Sequence, residues 1–425
     1  MPRTAYVSAP RARNRDTLTP SGGGDSGAAI NWAELRKARV IFQPISAGVV
    51  AALTGFASSF ALVIAGLIAV GATGEQASSG LLALCVVVGL ACMGLSFWLK
   101  IPISFAWSTP GAALLIAAGQ NTQNFAAAVG AFLVCAVLIV LCGLWPALGR
   151  LMTRIPKPIA SAMLAGILFP ICLAPVTAVA DPATTLLALP IVVVWLVLYR
   201  LAPRWAVPAA MAVAIVVILF TAQQGWLESA SLAPSLQFVL PVFDPFVVLS
   251  IGLPLFIVTM AGQNVPGFVV MSTFDYEAPP RAALVASGVA SAGAAFFGGH
   301  VINLAAITAA LMASPEAHPD KSKRWVASFT AGICYLLLGL GAGVAAALVS
   351  ASPPILIVAV AGLAVLGALI TGITSALEDP RHRVAAVLTF LVVASGVVIG
   401  GIGSAFWGLL VGGIVMLWLG WRRKE

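Results

Sequence analysis

The chain has 425 residues, 61% hydrophobic and 8% charged, with 22 Lys and Arg against 14 Asp and Glu. Soluble domains carry about 25% charged residues, so this composition excludes a soluble globular protein and points to a polytopic membrane protein. The net charge of +8 is no nucleic-acid footprint, because the basic residues stand between apolar runs and not in one patch.

Residues 1–40 are polar and rich in Arg, Pro, Ser and Gly, and are read as a cytoplasmic tail without an apolar signal core. Asn31–Arg39 is expected to form a short surface helix leading into the bilayer. Apolar runs of spanning length then place segments near 46–70, 78–99, 103–119, 125–147, 157–175, 183–199 and 205–222. A second set falls near 244–264, 281–297, 300–313, 325–350, 354–374, 383–399 and 402–421. The third and tenth are short and read as half-helices preceded by extended segments.

Charge tests the count. With fourteen crossings and both termini cytoplasmic, all 22 basic residues fall on the inside, as the positive-inside rule demands. Removing one span moves several arginines to the wrong side. The two sets of seven also match at a nearly constant offset. Asp181-Pro182 recurs as Asp379-Pro380, 198 residues later, and the same shift takes Thr109-Pro110 to Ile307-Thr308. Seven is odd, so the second copy enters from the opposite side. The expected fold is therefore all-α, with fourteen segments as a 7+7 inverted repeat whose paired breaks mark the binding site.

The first break is Ile101–Gly119, where Thr109-Pro110 supplies a capping hydroxyl and a proline suited to a first helical turn. The second is Phe297–Met312, where Gly298-Gly299 closes one span and Ala306–Met312 restarts a helix. Two half-helices of this kind present positive N-termini to one pocket. Ser104, Ser108, Thr109, Asn303 and Thr308 add neutral polar groups, Pro110 starts the first half-helix, and Phe105 and Trp107 add flat apolar walls. That set suits a small anion with an aromatic body.

A third element is Thr259–Met271, where Gln263 and Asn264 are costly in lipid unless they face protein or substrate. Gln263 reads either as a substrate ligand or as an interhelical contact. Thr54, Ser58 and Ser59, with Phe56 and Phe60, read as residues of close helix packing. His300 is the one ionisable side chain expected within the membrane, as a proton carrier or as a neutral group capping the glycine turn. The six cysteines lie in apolar runs and behave as small core residues, so neither a metal nor a cofactor is expected. The sequence lacks HExxH, GxSxG and GxxxxGK[ST], and it does not read as an enzyme.

Pro102–Leu115 (PISFAWSTPGAALL), Ala261–Met271 (AGQNVPGFVVM) and Phe297–Leu311 (FGGHVINLAAITAAL) resemble the benzoate/proton symporter (BenE) family. The resemblance extends over nearly everything after Arg36. It implies the fold of uracil-permease-type and sulfate-type transporters, in which a core domain moves against a gate domain, often as a dimer. The core would comprise 41–147 and 244–350 and the gate 148–222 and 351–421, with a 223–243 extracytoplasmic loop and a cytoplasmic 422–425 end. The eighth- and tenth-span acidic positions of the nucleobase branch fall on Gln263 and Ile307, so both carboxylates are missing here. The implied activity is import of benzoate or a related aromatic carboxylate with protons across the bacterial cytoplasmic membrane. The proton would travel on the substrate or on His300. The alternatives are an inorganic-anion or nucleobase carrier on the same fold, or an anion channel.

Overall fold

The computed structural model describes residues 32–119, 122–145, 147, 156–221, 233 and 235–421. The tail before Trp32, most of the 222–234 connection and the 422–425 end lie outside the described residues. Two units, Met1–Arg39 and Val40–Glu425, divide the chain, and the architecture below is that of the second.

The first half contains α1 (Trp32–Ala57), α2 (Phe60–Ala69), α3 (Gly74–Leu99), β1 (Phe105–Trp107), α4 (Thr109–Ala118) and α5 (Phe125–Leu144). It continues with α6 (Lys157–Ala180), α7 (Thr185–Leu201) and α8 (Pro203–Thr221). In the second half, α9 runs over Pro245–Thr273. Then come α10 (Pro280–Ala295), β2 (Ile302–Leu304), α11 (Ile307–Ala313), α12 (Trp325–Gly339) and α13 (Ala342–Ser350). The last three are α14 (Pro354–Leu377), α15 (Arg383–Ala394) and α16 (Ser404–Trp421). Among the described residues six helices are long and apolar enough to cross a membrane alone, or seven if one bent pair counts as a span. Shorter apolar stretches are α4, α7 and α15, with Trp205–Thr221 of α8 and Ser404–Leu419 of α16.

Three helices depart from the expected straight spans. The first breaks at Ser58-Ser59, where both hydroxyls donate to the Gly55 carbonyl, at 3.0 and 2.8 Å. The expected 325–350 span bends by 56° between α12 and α13, at a connection flanked by Gly339 and Gly341 that favours a kink. The third departure is in α9, which contains two π turns, Val248–Gly252 and Met260–Asn264. Each is closed by a bond reaching five residues back, Leu253 N–H to the Val248 carbonyl and Val265 N–H to the Met260 carbonyl. Each is followed, one residue on, by a proline, Pro254 or Pro266, which has no N–H to keep the ordinary ladder in register.

The extended segments expected before the two half-helices pair with each other. Strands β1 and β2 form an antiparallel ribbon with Phe105 opposite Leu304, Ala106 opposite Asn303 and Trp107 opposite Ile302. Ser108 N–H to the Val301 carbonyl and Ala305 N–H to the Ser104 carbonyl, both 3.0 Å, extend the ladder at either end. A two-stranded ribbon has two unpaired edges, and a buried edge must find partners. Here side chains of three helices supply them. Cys92 of α3 accepts from Phe105 N–H at 3.1 Å and bonds its carbonyl at 3.6 Å. Ser291 of α10 accepts from Ile302 N–H at 2.9 Å, and Asn264 in the second π turn accepts from Leu304 N–H at 2.9 Å. Cys92 is thus more than a small core residue.

The ribbon is wedged between α3 on one side and α10 and α9 on the other. Gly267 lets α9 approach, since a Cβ there would sit 2.5 Å from that of Leu304. Beyond the ribbon, α4 packs against α2 and α6, α6 against α14 and α15, and α5 and α3 against α10. Replacing Ser291 with Ala strands the Ile302 N–H in an apolar site. The variant should lose about 1–3 kcal/mol of stability, read as a lowered unfolding temperature in detergent, whereas Ser272→Ala at the exposed end of α9 should not move it.

Candidate functional site

The short helices grow from opposite ends of the ribbon, because antiparallel strands run past each other. α4 has ten residues, about 15 Å at a rise of ~1.5 Å per residue, roughly half of a ~30 Å hydrocarbon core. Its first turn is closed by Ser108, whose Oγ accepts from Gly111 N–H at 3.1 Å while receiving the Thr259 hydroxyl at 3.2 Å. Pro110 sits in that first turn as expected. α11 has seven residues and no side-chain cap at Ala306.

Alternation along the ribbon sorts the predicted residues into two faces. Phe105, Trp107, Ile302 and Leu304 share one face and are all buried. Ser104, Ala106 and Asn303 share the other, where Ala106 alone of the six strand residues keeps part of its surface. Phe56, Thr109, Gln263 and Thr308 are partly exposed as well. The face on which Ala106 keeps part of its surface is the open side of the ribbon. An apolar groove of about 880 Å³ elsewhere, lined by Leu90, Trp98, Leu144 and Val289, includes no ribbon residue.

On the open face Asn303 Nδ2 donates to the Leu304 carbonyl at 2.8 Å and to Gln263 Oε1 at 3.4 Å. Asn303 Oδ1 and Ser104 Oγ are buried and have no hydrogen-bond partner among the described residues. Such atoms are rare in folded proteins and call for a cause. At the ribbon's end an aromatic group gathers. Trp107 donates its Nε1–H to Ser59 Oγ at 2.9 Å and meets Phe56 and Tyr335 edge-on at 6.0 and 5.5 Å. Phe56 also stacks on Phe60 at 5.2 Å. Gly55 faces the Tyr335 hydroxyl and Thr308.

The structure thus brings Ser104, Asn303 and Gln263 together, and Trp107 with the first-span break. It sets four others apart. Phe105 is 1% exposed, its ring on the buried face and its backbone N–H and carbonyl on the Cys92 sulfur. Ser108 and Asn264 are fully buried and hold backbone. His300 lies beside Phe132 of α5 at 6.5 Å, its Nδ1 on the Val301 carbonyl at 3.0 Å. It falls in register with Ile302 and Leu304, the face turned from Gln263. Sequence reasoning missed Tyr335 and Thr259. A hydroxyl inside an apolar run was their signal, but nothing in the pattern says which neighbour each will meet.

Solved membrane-protein structures are similar to this chain in fold. The transmembrane domain of a cyanobacterium bicarbonate transporter, BicA, matches with a TM-score of 0.55 at 16% identity, over 88% of this chain and 98% of that one. Murine Slc26a9, an anion transporter in its inward-facing state, matches with a TM-score of 0.59 at 14% identity, over 97% and 78%. The chain itself belongs to the benzoate membrane transport protein (BenE) family, whose model matches residues 39–418. It is 42% identical over 371 residues to the inner membrane protein YdcO of Escherichia coli K12, covering 87% of this chain and 93% of that protein. It is 34% identical over 329 residues to the benzoate membrane transport protein of Acinetobacter baylyi, covering 77% and 83%.

Ser108 and Thr109 separate cap from site. Ser108→Ala removes the cap and the partner of Thr259 and should cost about 1 kcal/mol or more. Thr109→Val keeps the cap and should shift stability by no more than ~0.5 kcal/mol. Chemical denaturation of the two purified variants checks the contrast.

Proposed function

We propose that this protein is a secondary transporter of the bacterial inner membrane that imports benzoate or a close aromatic carboxylate, driven by protons, through alternating access. The observation that carries the reading is the pairing of β1 with β2, which brings two helix starts and an open polar face to one place. Membership of a benzoate transport family and the named Acinetobacter relative favour the aromatic acid. Phe56, the partly exposed member of the aromatic group at the ribbon's end, is a suitable contact for a benzene ring, for which offset and edge-on arrangements are favourable.

In this reading the substrate's carboxyl group lies between the break at Pro110 and the stretch Asn303–Thr308, oriented by Gln263, Ser104 and Thr109. Fourteen segments in two inverted sevens are supported by the helix starts at Thr109 and Ile307, 198 positions apart, and by the antiparallel ribbon, whose local two-fold passes between Ala106 and Asn303. The core would be 41–147 with 244–350 and the gate 148–222 with 351–421, both termini cytoplasmic and the unit a homodimer. Motion of the core past α6 and α14 would expose the site to each side in turn. A bicarbonate transporter and an anion transporter among the similar structures favour an inorganic-anion carrier as the second reading.

Counterflow in proteoliposomes decides between them. Labelled benzoate should exchange with unlabelled benzoate and saturate, unaffected by excess bicarbonate, sulfate or uracil. Absence of exchange sinks the first reading, and non-saturating flux makes the protein a channel. Thr109→Val and Gln263→Ala should each cut uptake at least tenfold, a loss of about 1.4 kcal/mol in transport free energy, while membrane insertion stays normal.

A further inference from the structure

The geometry points to a carboxyl group held on the ribbon's open face in its protonated, uncharged form, with Asn303 Oδ1 accepting the acid O–H, so that the substrate itself carries the coupled proton. The inference rests on the reading of the protein as a proton-driven importer of an aromatic carboxylic acid.

The orientation of the Asn303 amide is fixed by its surroundings. Nδ2 donates to the Leu304 carbonyl at 2.8 Å, and turning the amide over sets Oδ1 against that backbone oxygen. Gln263 Oε1 follows this orientation as a second, longer acceptor at 3.4 Å. Oδ1 is therefore an acceptor, and it is buried without a donor among the described residues. Because Gln263 spends its oxygen on Asn303, its Nε2 is left as a donor. Ser104, 2% exposed, adds a hydroxyl on the same face, diagonal to Asn303 across the ladder and within roughly 7–8 Å by strand geometry. The face thus offers one fixed acceptor, one fixed donor and one hydroxyl that can do either. A carboxylate only accepts and meets Asn303 Oδ1 as a repulsion. A carboxylic acid donates once and accepts through its carbonyl, and so matches the set.

Charge argues the same way. The titratable groups around the ribbon are Cys85 and Cys92 of α3, Cys334 and Tyr335 of α12 and His300 before β2. The buried Arg324 is spent on the Ala313, His318 and Pro319 carbonyls at the far end of α11. His300 is turned to the other face, where its Nε2 is buried without a partner among the described residues, and none of these groups brings a fixed positive charge to the open face. α9, α4 and α11 contain no charged residue, and Glu75 of α3 and Arg281 of α10 sit in first turns, about 15 Å or more along their helices from Cys92 and Ser291. The free end of α4 is closed by its own serine, and α11 is short. A carboxylate buried without a cation neutralises. For an acid of pKa near ~4 the neutral form is about a thousandth of the total at pH 7, a population a buried matching site readily selects.

The test uses the unaltered full chain in proteoliposomes and measures benzoate counterflow between pH 6 and 8. The KM for total benzoate should rise about tenfold per pH unit, in step with loss of the acid form. Benzamide, neutral with a donor and an acceptor in the acid's arrangement, should compete equally at both pH values. Benzenesulfonate, always an anion, should compete at least tenfold less well. A flat KM, or benzenesulfonate outcompeting benzamide, overturns the inference and leaves benzoate transport standing. Failure of benzoate to exchange at all removes the functional reading itself. Asn303→Leu should abolish benzamide competition, and Asn303→Gln, which keeps the amide, serves as its folded control.

Discussion

A strand edge deep inside an apolar protein is the constraint on which the rest of this structure depends. Each unpaired N–H or C=O there costs far more than at a surface, because no water can replace the missing partner. The ribbon of β1 and β2 has two such edges, and a two-stranded pair is barely stable alone. Cys92, Ser291 and Asn264 close them from three helices. The ribbon is therefore held by α3, α10 and α9 together.

That requirement explains the irregularities of α9. A regular helix with Pro254 and Pro266 would leave carbonyls without donors. The two π turns absorb the mismatch and bring Gln263 and Asn264 to the strand. Neighbouring residues then take different work. Asn264 holds the β2 backbone, while Gln263 orients the amide of Asn303 toward the open face. The same division holds at α4, where Ser108 closes the helix and Thr109 stands beside it, partly exposed.

The site that results is polar without being charged. Hydroxyls and amides of fixed orientation replace the buried carboxylates expected of a proton relay, and the aromatic residues of the first span and α12 lie at its edge. In the proposed reading, such a surface would discriminate by donor and acceptor pattern more than by net charge, as hydrogen-bonding sites reject near-isosteres most strongly. His300, the residue sequence alone singles out for proton transfer, is packed against Phe132. Its position, three residues before Asn303, sets it on the opposite face of the strand.

Much of this was legible in the chain itself. Hydropathy placed most apolar segments within a few residues of the observed helices, although α9 runs nine residues past the expected end to Thr273. Thr109-Pro110 and Gly298-Gly299 announced the two breaks, because caps, prolines and glycines act locally. Sequence also picked out Ser104, Gln263 and Asn303, since polar residues in apolar runs stand out. What it could not decide was direction. Whether Phe105 walls a pocket or packs the core, whether Ser59 serves helix packing or meets Trp107, and which edge Cys92 closes all depend on strand register and on partners up to some 200 residues away. Register is set by the summed packing of three helices against one ribbon, and no local pattern carries that sum.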